Sequence, residues 1–403
     1  MKFEPFALER FQSIWENRVA WNLAESGVQP LRVSELADSE ALRDALLEQE
    51  LGYPQTNGTA ALRELIASMY AGATIDHVLV TNGGSEANCV LLMRLVEPGD
   101  EIVFMSPNYM QIAGLARTLG AAVKPWRAAE RTAGASAEGT EYTWDLQDLK
   151  QLVTPKTRAI CLCNPNNPTG ARLDDSTLDG VCHIASTVGA WVIGDEIYRG
   201  AERLADDTAT VWDCGYERAV VTSGLSKAYG LPGLRIGWIL GPPGLVMDLW
   251  GVHDYTTIAP GAVNDRLARI ALAPARRAQL LARTRMIIRA NYPLVKRWID
   301  TQEGLSHVPP EAGAIVLVRH MHPFRSSDLV ERLRRDRGVL VVAGDHCDID
   351  GHLRIGFGSD PRYLESALTL VGEFLTAVAA GAERAGVSAS DRGKGIRGTE
   401  SGG

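Results

Sequence analysis

From His77 onward the chain alternates short, continuously apolar runs with segments whose apolar residues recur every three or four positions. "HVLVTNGG" predicts a strand and "SEANCVLLMRLV" a helix; "EIVFMSP" predicts a strand and "NYMQIAGLARTLG" a helix. "RAICLCNPNN" and "AWVIGDEIY" read as further strands with the helix "STLDGVCHIASTVG" between them, and "RAVVTSGLS" and "RIGWILGP" follow. Strands without polar alternation are buried on both faces. The pattern therefore predicts an α/β unit, a mostly parallel sheet with helices on both sides, over residues 45–280.

"ARTRMIIRANYPLVKRWIDTQ" predicts a long helix leading out of that layer. "GAIVLVRH", "LVERLRRDRGVLVVAG", "HLRIGFG" and "RYLESALTLVGEFLTAVAA" then predict a smaller α+β domain over residues 281–380. Residues 1–44 carry no sheet pattern and are expected to pack on the smaller domain. Residues 381–403, rich in glycine, serine and charge, are expected to be disordered. No internal repeat is evident.

Composition narrows the function. With 45% hydrophobic and 22% charged residues the balance is that of a globular protein. A formal net charge of −8 argues against a nucleic-acid partner. The opening "MKFEPFALERFQSIWENR" mixes charges of both signs without an apolar core, and no apolar run approaches the roughly 20 residues of a membrane span. A cytoplasmic protein with no membrane partner is the expectation. The six cysteines are scattered; Cys161 and Cys163 alternate on one face of a buried strand, and no metal-ligand spacing surrounds them. No metal is expected.

The polar, glycine-rich stretches follow the predicted strands, where open α/β sheets bind ligands. In "TNGGSEAN" the amides of Gly84, Ser85 and Glu86 at a helix start suit an anion, although a plain strand-to-helix turn reads the same way. "NPNNPTG" is a rigid turn that leaves Asn167 at a strand end. "GDEIY" puts Asp195 at the end of an apolar strand, where a carboxylate needs a partner, with Tyr198 beyond it. "SGLSKAYGLPGLRIGW" sets Lys227 among small and apolar residues, with Ser223, Ser226 and Arg235 able to converge on one anion. An amine in such a pocket loses proton affinity and becomes a nucleophile or a base. In "HLRIGFG", Arg354 lies within an apolar strand and needs a carboxylate, from the protein or from a substrate. Together they describe a phosphate binder, an imine-forming lysine, a carboxylate and a carboxylate-binding arginine. Pyridoxal 5′-phosphate with an amino-acid substrate asks for that list.

The order Asn167, Asp195, Tyr198, Lys227, Arg235 and Arg354, with Arg235 eight residues after the lysine, resembles the class I/II aminotransferases of the fold-type I pyridoxal-phosphate enzymes. "YPQTNGTAALRELIA" from Tyr53 is similar to the family's segment before its first large-domain helix. The likeness spans about residues 27–380. It implies a seven-stranded, mostly parallel sheet in a large domain beside a smaller one. It also implies that Lys227 binds the cofactor covalently and carries the proton at Cα, and that Asp195 faces the ring nitrogen. Asn167 and Tyr198 would bond the ring's phenolic oxygen, and Tyr109 would stack on the ring. Gly84, Ser85, Glu86, Ser223 or Ser226, and Arg235 would hold the phosphate, with Tyr53 reaching it from a second subunit of a homodimer. Arg354 would fork the substrate carboxylate, with Asn167 and Gly27 beside the substrate. One position departs: relatives carry a hydroxyl three residues before the lysine, where this chain has Gly224.

"SGV" at residues 26–28, "SKAYGLPGLRIGW" and "DYTTIAP" are also similar to cyclases of the capreomycidine synthase kind, which act on arginine derivatives. That likeness implies elimination and ring closure in specialised metabolism as the alternative to amino transfer. Candidate readers of the substrate side chain are Glu9, Trp15, Glu25, Gln29, His253, Asp254 and Tyr255.

Overall fold

The structure is a computed structural model and describes residues 3–132, 139–204 and 207–384. Seven strands form the large sheet: β1 (Val78–Thr81), β2 (Glu101–Ser106), β3 (Ala122–Arg127), β4 (Thr157–Cys163), β5 (Trp191–Asp195), β6 (Ala219–Gly224) and β7 (Gly237–Leu240). Their order across the sheet is β1-β7-β6-β5-β4-β2-β3. All run parallel except β7, which is antiparallel to both of its neighbours.

Successive strand residues enter different cores, as the pleat requires. Val80, Val103, Ile160 and Val192 lie in one apolar cluster, while Leu79, Phe104, Cys161 and Ile193 lie in the other. Both faces are covered, which accounts for the absence of polar alternation in the sequence. Strand β3 escaped the sequence reading because "AVKPWR" lies at the sheet edge with only Trp126 buried. An antiparallel pair of Ala129–Thr132 and Thr140–Thr143, buried only at Tyr142, was missed because it carries no apolar run.

The smaller sheet has the order β8-β9-β11-β10, from β8 (Leu305–His307), β9 (Ile315–His320), β10 (Val342–Ala343) and β11 (His352–Gly356). A 28-residue helix, Pro274–Thr301, leads into it. The C-terminal helix Pro361–Arg384 is long and apolar enough to cross a membrane, yet it turns Leu364, Ala367, Leu368, Val371 and Phe374 into the main core. It continues to Arg384, beyond the limit expected at 380; the remainder of the expected tail, 385–403, lies outside the described residues.

The N-terminal residues are tied to the smaller sheet unit. Trp21 and Asn22 pair in parallel with Val339 and Leu340, and Leu23 accepts from the Gly356 N–H at 2.7 Å. Helix α1 (Ala7–Trp15) packs Leu8 against Leu340, Val342 and Cys347. These contacts carry Glu25 to Gly27 and one face of α1 to the carboxyl ends of β4, β5 and β6.

Candidate active site

At those strand ends lies a cavity of about 610 Å³. It is lined by Lys227, Asp195, Tyr198, Asn167, Arg354 and Tyr109, and also by Gly84, Ser85, Ser226 and Arg235. The chain leaves the strand conformation after Asp195, which lets Asp195 and Tyr198 face the same space.

Asp195 Oδ2 accepts from Asn88 Nδ2 at 3.1 Å and Oδ1 from the Ile197 N–H at 3.2 Å. Burial raises its proton affinity, and those two donors oppose the rise. Lys227 Nζ lies 2.7 Å from Glu25 Oε1. Arg354, 2% exposed, donates from Nη1 to Asn167 Oδ1 at 2.9 Å and from Nη2 to the Ala24 carbonyl at 2.6 Å. Its buried Nε has no partner among the described residues. Among the described residues Arg354 thus forms no close ion pair, and a donor is left for a ligand.

The anion cradle is built from close backbone approaches. Helix Gly84–Leu95, here α2, makes its first intrahelical bond from Ala87 N–H to Gly83 O, so the amides of Gly84, Ser85 and Glu86 precede the ladder. Gly83 has φ +92°, and a Cβ there would lie 2.2 Å from Arg235 Nη2. Arg235 Nη1 donates to Ser226 Oγ at 3.3 Å and to the Pro232 carbonyl at 3.1 Å.

Several expected residues stand elsewhere. Ser223 does not line the cavity: its hydroxyl donates to the Glu196 carbonyl at 3.1 Å and faces a separate cavity, because strand alternation turns it to the other side of the sheet. Ser226, past the strand end, lines the main cavity beside Arg235. The Glu86 side chain also points away, accepting from the Asn82 N–H and from Thr257 Oγ1 at 2.8 Å, with His253 Nε2 at 3.3 Å. Burial pushes its carboxyl up, but the bonds from His253, Thr256, Asn82 and Thr257 outweigh that and hold it at about 2. Only its backbone amide remains available to an anion.

Tyr53 is 85% exposed and outside the cavity of its own chain. Gly27 is buried, and its N–H donates to Glu25 Oε1 at 2.8 Å. Of the side-chain readers, Glu9 and Glu25 line the cavity. Trp15 lies under Arg334 at 3.6 Å, His253 is buried against Glu86, and Gln29, Asp254 and Tyr255 are exposed. Sequence reading missed Asn88, Gln111, Gln12 and Glu16. The last two could have been found from Glu9, since positions 9, 12 and 16 share a helix face.

The residues present fit pyridoxal phosphate: a lysine and a carboxylate lining one cavity, and a glycine-built turn closed by an arginine. When bound, that group supplies the aldehyde for Lys227 and a ring that draws electrons from the substrate's Cα. The fold and the site define a pyridoxal-phosphate-dependent enzyme acting on α-amino acids.

The sequence pattern of the family "Aminotransferase class I and II" matches residues 30–371, and the chain belongs to that family. It is 31% identical to capreomycidine synthase of Streptomyces vinaceus over 333 residues, 81% of this chain and 82% of that protein. It is 28% identical to the arginine–pyruvate transaminase AruH of Pseudomonas aeruginosa over 338 residues, 80% and 82% of the two chains. A PLP-dependent aminotransferase from Streptococcus suis superposes with a TM-score of 0.85 at 31% identity, covering 94% of this chain and 99% of that one.

Proposed function

We propose that the enzyme transfers the α-amino group of an amino acid whose side chain ends in a positive charge, arginine foremost, to a 2-oxo acid, and that it works as a homodimer. The observation that carries the substrate class is a surplus of carboxylates. Arg235 and the α2 amides answer the phosphate, Arg354 the α-carboxylate, Asp195 the ring nitrogen and Lys227 the aldehyde. Glu9, Glu16 and Glu25 remain on the cavity wall. Among the described residues Glu9 accepts only a neutral hydroxyl, from Tyr109 at 2.7 Å, and Glu16 only the Gln12 amide at 3.4 Å. Glu25 would give up its bond to the Lys227 ammonium once Lys227 is engaged by the aldehyde. Carboxylates gathered in a part-buried cavity call for a cation, and a guanidinium fork suits two of them at once. The arginine–pyruvate transaminase likeness supports the same substrate.

The homodimer is supported by Tyr53, Leu47, Leu51 and Tyr255, each more than four-fifths exposed. Leu47, Leu51 and Tyr53 share one stretch of chain, while Asn82 Nδ2 ties the Thr257–Ala259 loop to the phosphate turn. Tyr53→Phe should weaken cofactor binding, and sedimentation should give twice the mass of 43.6 kDa.

A second reading, ring closure on an arginine derivative, is favoured by the likeness to capreomycidine synthase. Holoenzyme mixed with arginine, lysine, citrulline, norleucine, glutamate and a hydroxylated arginine separates these readings. Amino transfer bleaches the cofactor's visible absorbance with the cationic members, and pyruvate or another 2-oxo acid restores it. Bleaching by none of the panel would overturn amino transfer. A cyclic product from a hydroxylated arginine, without bleaching, would establish the second reading.

A further inference from the structure

Asp195 is an unusual carboxylate in one respect: among the described residues it has no cationic partner. Until the cofactor's ring arrives, its negative charge is supported by the Ile197 N–H and the Asn88 amide. The orientation of that amide therefore matters, and its neighbours determine it.

Gln111 donates from Nε2 to the Ser85 carbonyl at 2.9 Å, which leaves its Oε1 to face Asn88 Nδ2 at 3.3 Å. On the other side the buried Thr222 hydroxyl lies 2.7 Å from Asn88 Oδ1 and donates to it. Asn88 has two amide hydrogens and one carbonyl oxygen. One hydrogen goes to Asp195, the other to Gln111, and Thr222 occupies the oxygen. The flipped amide would set its oxygen against the Asp195 carboxylate and Gln111 Oε1, two acceptor–acceptor contacts. Asn88 is 3% exposed, so little water reaches the amide to relieve them. The network reaches from Ser85, in the first turn of the phosphate helix, to Asp195 at the ring end.

We propose that Asn88, oriented by Thr222 and Gln111, is the positioning residue that fixes the aim of Asp195 and sustains its negative charge beneath the cofactor's ring nitrogen. The inference rests on Asp195 facing that nitrogen. Without the Asn88 donor, one of the two bonds that oppose the rise in Asp195's proton affinity is gone, and a carboxyl that takes up a proton no longer holds the ring nitrogen protonated.

The test uses full-length holoenzyme reconstituted with pyridoxal phosphate carrying nitrogen-15 in its ring, read by NMR between about pH 6 and 9. The parent should show a protonated ring nitrogen throughout. Asn88→Leu should move the resonance toward the unprotonated position within that range and slow the amino-acid half-reaction by roughly 10- to 100-fold, the size of a lost bond to a charged group. Thr222→Val, which leaves Asp195 untouched, should shift the resonance in the same direction by less, and Thr222→Ser should restore it. If Asn88→Leu does not fold, the Thr222 pair decides. A protonated nitrogen in Asn88→Leu, or indistinguishable resonances in Thr222→Val and Thr222→Ser, overturns the role of Asn88 while leaving Asp195 in place. An unprotonated nitrogen in the parent overturns the facing of Asp195, and the proposal with it.

Discussion

One oxygen of Glu25 ties the N-terminal segment to the reactive amine: Oε1 lies 2.7 Å from Lys227 Nζ and also accepts the N–H groups of Ser26 at 2.9 Å and Gly27 at 2.8 Å. Burial pushes the carboxyl up, yet the Lys227 charge and hydrogen bond, the Gly27 N–H and Arg354 outweigh burial and hold it at about 2, against an ordinary 4.5. A depressed folded value means the contribution is complete above about pH 4.5 and is lost as the pH falls toward 2. Thermal melts of cofactor-free Glu25→Gln and parent should therefore differ at pH 6 and converge between 4.5 and 2. The side chain is 42% exposed, so the difference should not exceed about 1 kcal/mol. A gap unchanged down to pH 2 would contradict the ion pair.

Lys227 is the one lysine on the cavity wall among the described residues. Lys227→Ala should still bind pyridoxal phosphate through the cradle of Ser85, Ser226 and Arg235, but lose at least about 10³-fold in half-reaction rate, since both nucleophile and base are removed. Borohydride followed by peptide mapping should label residue 227 in the parent and nothing in the variant. Ordinary turnover by the variant would remove the lysine from the chemistry.

What was legible in the sequence divides along physical lines. Residues whose chemistry is costly to bury announced themselves: Asp195, Lys227 and Arg354 stand in apolar surroundings that only a ligand or a partner makes tolerable. Direction was harder to read. Ser223 and Ser226 look equivalent as letters, but the end of β6 falls between them and turns one to each side. Asn88 looked like one polar position in an apolar helix, because its three partners Gln111, Asp195 and Thr222 are distant in sequence and meet it only in the fold. The Glu9, Gln12 and Glu16 face was present as a helical spacing, but only the packing of α1 over the strand ends shows what it looks upon.

Arg354 is held by two bonds that do not neutralise it, from Nη1 to Asn167 and from Nη2 to the Ala24 carbonyl. Neither partner carries a charge, which leaves the guanidinium able to take a carboxylate. Arg354→Lys keeps the charge but loses the planar fork and leaves Asn167 or Ala24 unpaired. The expected outcome is a 10- to 100-fold rise, roughly, in the amino-acid concentration giving half-maximal bleaching, with cofactor affinity little altered. Equal loss of cofactor and amino-acid binding would point to a structural role instead.

The Gly83–Gly84 turn depends on a glycine that is distant in sequence. A Cβ on Gly237 would lie 2.4 Å from the Gly83 carbonyl carbon and 2.5 Å from Gly84 N, backbone atoms that cannot rotate aside. Strand β7 pairs Gly237 with Thr81 and so presses it against the turn from within the sheet. Gly237→Ala should push the Gly83–Gly84 turn outward, separating the α2 amides from Arg235. Stability should fall by about 1–3 kcal/mol and cofactor affinity by roughly tenfold or more. Gly244→Ala is the control: it lies in the first turn of the helix Pro243–His253, with nothing within 4 Å of the added carbon. That substitution should leave cofactor binding unchanged and stabilise the helix by up to about 1 kcal/mol. Denaturant melts with and without pyridoxal phosphate separate the two effects of Gly237→Ala, because a displaced cradle reduces the ligand-induced gain in stability as well as the starting value.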